Sequence, residues 1–157
     1  MEEVRYLETG VAQLLPLIEQ VIASGGVFTL YPKGGSMLPL IRQGRDAVEL
    51  SAADTVARGD VVLFCRAGDV YVLHRIVGRR PDGWVLCGDN QWEKEPGIQG
   101  TQVVAKVSAI VRGGQRIPLS EAQSFVYLHT LPLRRCYKAA RAALGRIRRA
   151  LFARKRR

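Results

Sequence analysis

Between residues 11 and 24 the apolar side chains Val11, Leu14, Leu15, Ile18, Val21 and Ile22 recur mostly at three- and four-residue steps. That spacing gathers them on one side of an α-helix and predicts an amphipathic helix over 11–24. Pro16 marks either its effective start or a kink, because proline supplies no amide hydrogen. Gly25-Gly26 supplies the stop.

After residue 26 the period changes. Short apolar runs follow at 26–31, 46–50, 60–66, 69–77, 84–87, 101–112 and 116–119, rich in valine, isoleucine and aromatic residues. Pro32-Lys33-Gly34-Gly35, Pro81-Asp82-Gly83 and Gly113-Gly114 punctuate them as turns. Residues 69–77 form the clearest strand pattern, and 101–112 reads as one long, bent strand. Strands this short at such spacing predict a mainly β domain, an antiparallel barrel or sandwich.

From residue 133 the pattern is helical again. Leu133, Tyr137, Ala140, Leu144, Ile147 and Leu151 make one narrow apolar stripe, with Arg134, Arg135, Lys138, Arg141, Arg148 and Arg149 on the other faces. The expected organisation is a helical segment over 1–26, a β domain over 27–119 and a basic amphipathic helix or tail over 120–157.

Charge divides the chain along the same boundary. Residues 1–121 carry 13 Lys/Arg against 14 Asp/Glu, whereas residues 122–157 carry 11 Lys/Arg and no acid. Attraction to an acidic partner is therefore expected from the tail. An anionic membrane surface touched by residues 132–157 is the first expectation, docking of the stripe on the body the second, and nucleic acid the least expected.

The three cysteines, Cys65, Cys87 and Cys136, form no CxxC pair. They predict neither a disulfide framework nor structural zinc. No cofactor and no metal are expected. The acidic start shows no signal-peptide pattern, and no apolar run approaches the roughly 18–20 residues that span a bilayer. The expected location is the cytoplasm or the inner membrane face.

Candidate chemistry begins at Ser36, in Gly34-Gly35-Ser36-Met37-Leu38-Pro39. A serine hydroxyl attacks a carbonyl only when a base takes its proton and donors hold the oxyanion. The two glycines leave room for a substrate, and amides around Gly35, Ser36 and Met37 could supply such donors. A plain glycine-serine turn is the alternative. His74 lies in an apolar strand and shares a face with Val72 and Ile76 on period two. It reads either as a packed core residue or as the base, since imidazole titrates in the right range. His129 is expected to pack or to be solvated. Gly88-Asp89-Asn90 reads as a turn, or as the source of a carboxylate that orients the histidine; Glu93 and Glu95 could do the same.

The order of these elements is recognisable. Gly34-Gly35-Ser36-Met37-Leu38-Pro39, then Gly59-Asp60-Val61-Val62, then His74-Arg75-Ile76, then Gly88-Asp89-Asn90 resembles the signal peptidase I and LexA-type peptidase superfamily. The likeness covers about residues 27–112 and is nearest to the branch with a Ser/His pair. It implies Ser36 as nucleophile, His74 as general base and Asp89 as an aspartate near the site. Members of that branch usually carry a second aspartate six residues further on, where this chain has Glu95. Asp89 is therefore expected to steer His74, with Glu95 as the alternative acid. The resemblance further implies an endopeptidase that removes a leader or signal-like segment with small residues beside the cut. The rival expectation is a binding or regulatory domain on the same scaffold, without catalysis, recruited to membrane or nucleic acid by the tail.

Overall fold

The computed structural model describes residues 10–120 continuously and, beyond them, positions 124, 127–130, 133, 136, 137, 140, 143, 144 and 146. The chain opens with α1, Val11–Ala23. Its apolar face buries Ile18 and packs Val11, Leu14 and Ile22 against the core of the β domain. Pro16 lies inside the helix without ending it. Termination follows backbone geometry: the Gly25 amide donates to the Ile22 carbonyl and the Gly26 amide to the Val21 carbonyl, both at 2.9 Å. Gly25 stands at φ +77°, the left-handed conformation that this type of helix stop requires.

Eight strands are described: β1 Phe28–Leu30, β2 Asp46–Ser51, β3 Val61–Arg66, β4 Val70–Arg80, β5 Gly83–Cys87, β6 Glu95–Ile98, β7 Val103–Arg112 and β8 Gln115–Pro118. All neighbours are antiparallel, in the order β1-β2-β7-β3-β4-β5-β6. β3 pairs with the first half of β7 and β8 with the second. The fold is mainly β, as the strand spacing predicts, and the sheet curls into a half-barrel. Register slips place one extra residue at Val77 in β4 and at Val104 and Ser108 in β7. Such bulges bend a strand and increase its twist, and they account for the bend expected within 101–112.

Two differences from the sequence pattern bear on the site. Residues 100–102 are a 3₁₀ turn rather than the start of a strand. β6, Glu-Pro-Gly-Ile, has no apolar alternation and was not expected. It pairs with β5 across an irregular register, Trp84 opposite Ile98 and Leu86 opposite Glu95. That pairing is tertiary in origin, and it brings Glu95 into the fold.

The apolar residues divide into two clusters. One gathers Ile18, Leu30, Met37, Ile41, Val48, Leu50, Leu63, Leu73 and Val107 beneath α1. The other gathers Val62, Phe64, Ile76, Leu86 and Ile98, with Val72 packed against it. Alternation along β4 sends Leu73 to the first cluster and Val72 and Ile76 to the second. Beyond residue 120, the described positions from 124 to 146 are helical. The N-terminal nine residues and, of the tail stripe, Ile147 and Leu151 lie outside the described residues. No helix among the described residues is long and apolar enough to cross a membrane.

Candidate functional site

β4 carries His74 in the middle of its buried stretch, where the side chain is 1% exposed. It sits opposite Val62 on β3, and its ring lies 5.9 Å from the Phe64 ring. Apolar packing of this kind penalises the charged imidazolium. Burial is the largest influence on His74 and pulls its pKa below the ordinary 6.5, while Glu95 pushes the other way. The ring is thus held neutral near pH 7, the form that can accept a proton.

Its two nitrogens face different partners. Nδ1 lies 2.7 Å from Glu95 Oε1. The ring N–H is not aimed along that line, and Nδ1 has no aligned hydrogen bond. The short distance therefore represents an electrostatic contact rather than a well-formed hydrogen bond. Nε2 faces the start of the 88–90 turn. A Cβ placed on Gly88 would meet His74 Nε2 at 3.0 Å and the Ser36 carbonyl oxygen at 2.8 Å. The Ser36 backbone and the His74 ring therefore both close on the space beside Gly88, and any larger residue at 88 would displace them.

Ser36 is held at this junction by its backbone. The Asn90 amide donates to the Ser36 carbonyl at 2.7 Å, and Asn90 Nδ2 donates to the Gly35 carbonyl at 2.9 Å. Gly34 anchors the other end through the Gln43 side chain. Met37 is buried in the cluster beneath α1, so its side chain fixes the loop to the core. Among the described residues no hydrogen bond joins Ser36 Oγ to His74, and none engages the Gly35, Ser36 or Met37 amide. Nucleophile–base bonds of this kind commonly tighten only when substrate is engaged. A cleft of about 300 Å³ opens beside Ser36, walled by Leu30, Tyr31, Met37, Ile41, Tyr71 and Leu73.

The two candidate acids occupy places opposite to those expected. Asp89 is not the carboxylate beside His74 Nδ1. Its carboxylate takes a two-pronged ion pair from Arg75, at 2.8 and 2.9 Å, with both side chains essentially buried. Glu95, the alternative acid, stands at His74 instead. The cause is topological: His74 and Arg75 are neighbours on β4 and point to opposite sides of the sheet, β6 brings a carboxylate to one side, and the 88–90 turn brings one to the other. Glu93 contributes its backbone carbonyl to Cys87 Sγ at 3.1 Å. His129 is exposed on the tail helix.

Sequence reasoning missed Arg66 and Arg75. Arg66, at the end of β3, grips Glu95 with Nε and Nη2 at 2.5 and 2.6 Å. The carboxylate is held below its ordinary pKa against the cost of burial, by Arg66 and then by His74. Arg75 also donates to the Gly59 carbonyl at 2.6 Å, and its guanidinium lies 4.4 Å from the Tyr127 ring centre. Arg75 follows His74 directly in sequence, but nothing in the one-dimensional pattern distinguishes a buried arginine from a solvated one.

The tail helix is partly seated. Ser124 and Leu128 crowd Gly59, where a Cβ would meet them at 3.0 and 3.4 Å, and Tyr127 covers Arg75. Further along, Leu133, Tyr137 and Leu144 are exposed. Neither a scan of protein-family models nor a search of curated proteins yields a match for this chain.

Proposed function

We propose that this chain is a serine endopeptidase in which Ser36 is the nucleophile, His74 the general base and Glu95 the acid behind it. The supporting observation is the line from Glu95 to His74 Nδ1, through the ring to Nε2, and on to the Gly88 junction shared with Ser36. A buried neutral imidazole with a carboxylate behind one nitrogen and a serine near the other has the parts of a triad, whatever the order of those parts in the chain. Ser36 Oγ attacks the scissile carbonyl as His74 Nε2 takes its proton. Amides around Gly35, Ser36 and Met37 hold the oxyanion. His74 returns the proton to the leaving amine, and water then releases the acyl group by the same base.

The resemblance to signal peptidases of the Ser/His branch supports the substrate class: a leader or signal-like segment, extended, with small residues beside the cut. The test is cleavage of such peptides by the full chain. Ser36→Ala and His74→Ala should each remove turnover, and activity that survives Ser36→Ala would sink the reading.

A peripheral attachment to anionic membrane goes with it. Residues 122–157 carry eleven positive charges and no acid, and Leu133, Tyr137 and Leu144 are exposed on the helix. This would place the enzyme at the inner membrane face. Flotation with phosphatidylglycerol vesicles tests the attachment: truncation near residue 130 should abolish binding, and retained binding would refute it.

A further inference from the structure

Arg66 lies beyond the three groups of the peptidase mechanism, yet it is joined to them through Glu95. We infer that Arg66 is a positioning residue: its two-pronged grip fixes the Glu95 carboxylate at His74 Nδ1 and neutralises that carboxylate, so that the imidazole stays uncharged and ready to take a proton. The catalytic meaning of this clamp rests on the peptidase reading above.

The geometry has three parts. β3 and β4 are adjacent antiparallel strands with Val62 opposite His74 and Arg66 opposite Val70, so Arg66 and His74 project from neighbouring strands. The guanidinium is stacked 5.9 Å over the Phe64 ring, which also contacts the His74 ring. Glu95 Oε1 is shared, lying 2.6 Å from Arg66 Nη2 and 2.7 Å from His74 Nδ1. One carboxylate oxygen thus faces two nitrogen partners, and the guanidinium, which never releases its proton, has the stronger claim.

A carboxylate beside a histidine ordinarily favours the imidazolium. Here that attraction is opposed by a second positive group on the same carboxylate. The other charges around the ring do not alter the balance. Asp89 is close enough to favour the imidazolium, but its carboxylate is already paired with Arg75. Glu93 acts on Arg66. Arg75, on β4 itself, is directed into the Asp89 pair. Arg66 also repels the imidazolium directly.

The test is an NMR titration of the two histidines in the full chain, with His129 as the internal reference and Arg66→Gln and Arg66→Lys as variants. Arg66→Gln should move the His74 midpoint upward and leave His129 in place. Arg66→Lys, which keeps the charge without the fork, should restore part of the difference. In a cleavage assay the acid limb should shift in the same direction, with kcat/KM near pH 6 lowered roughly three- to tenfold. A His74 midpoint that stays put or falls in Arg66→Gln overturns the clamp. The titration does not require turnover, so an upward move supports the clamp even if the peptidase reading fails, and an unmoved midpoint beside a Ser36-dependent activity rejects the clamp alone.

Discussion

Two ion-pair clusters flank β4, one anchored on His74 and the other on Arg75, and they differ in what surrounds them. The Arg75–Asp89 pair is closed: its side chains are 1% and 0% exposed, the carboxylate is gripped by both prongs, and a third arginine donor goes to the Gly59 carbonyl. The His74 cluster is open at one end: the histidine is 1% exposed, but Glu95 is 22% and Arg66 38%. A closed, buried pair holds structure, because each charge is costly without its partner. A half-open group with an unaligned imidazole can change protonation without unfolding its surroundings. The clusters meet at Gly88-Asp89, where the Arg75 pair holds the turn that His74 Nε2 faces.

That contrast can be broken from either side. Asp89→Ala should have the largest effect on stability, since it strands a buried guanidinium. The expected loss is about 3–5 kcal/mol by urea denaturation. A change below 1 kcal/mol would show that the Arg75 pair is not structural. Glu95→Gln should do the reverse. It should cost little stability, within about 1 kcal/mol for a half-open group, and lower kcat on the order of 10²-fold or more through loss of the charge behind His74. If both variants unfold the chain equally, the division of roles fails.

Acid sharpens the same distinction. The folded state holds His74 below 6.5 and Glu95 below 4.5, so it binds fewer protons than the unfolded chain. The contribution of these two groups is complete above 6.5. It falls first as pH drops through 6.5 toward the lower folded value of His74, and again as it drops below 4.5 toward that of Glu95. His74→Gln should remove the first step and leave, of the second, the part that Arg66 supplies, in a pH series of denaturation midpoints. The acid limb of kcat/KM should lie below 6.5 for the same reason. The smallest effect belongs to a surface pair: Glu49→Gln breaks the contact with half-exposed Arg116, 2.6 Å away, and should change stability by less than about 1 kcal/mol with turnover intact.

Seven of the eight described strands, the helix expected over 11–24 and the isolation of the positive charge in the tail were legible in the sequence. Apolar period and glycine placement are local properties, and burying an apolar face is what makes an element form. His74 could be placed on the face of Val72 and Ile76 for the same reason. Which carboxylate meets it could not be read. Asp89 and Glu95 lie six residues apart, both in polar surroundings, and either could have reached the ring. The curl of the sheet and the irregular pairing of Glu-Pro-Gly-Ile with β5 decided the matter, by turning Glu95 toward the buried face of His74 and Asp89 toward Arg75. Sequence alone determined which residue types were available and on which side of a strand each stood. Only the tertiary structure decided which of them touch, because ion pairs across a sheet depend on register and curvature, and neither is encoded by any short run of the chain.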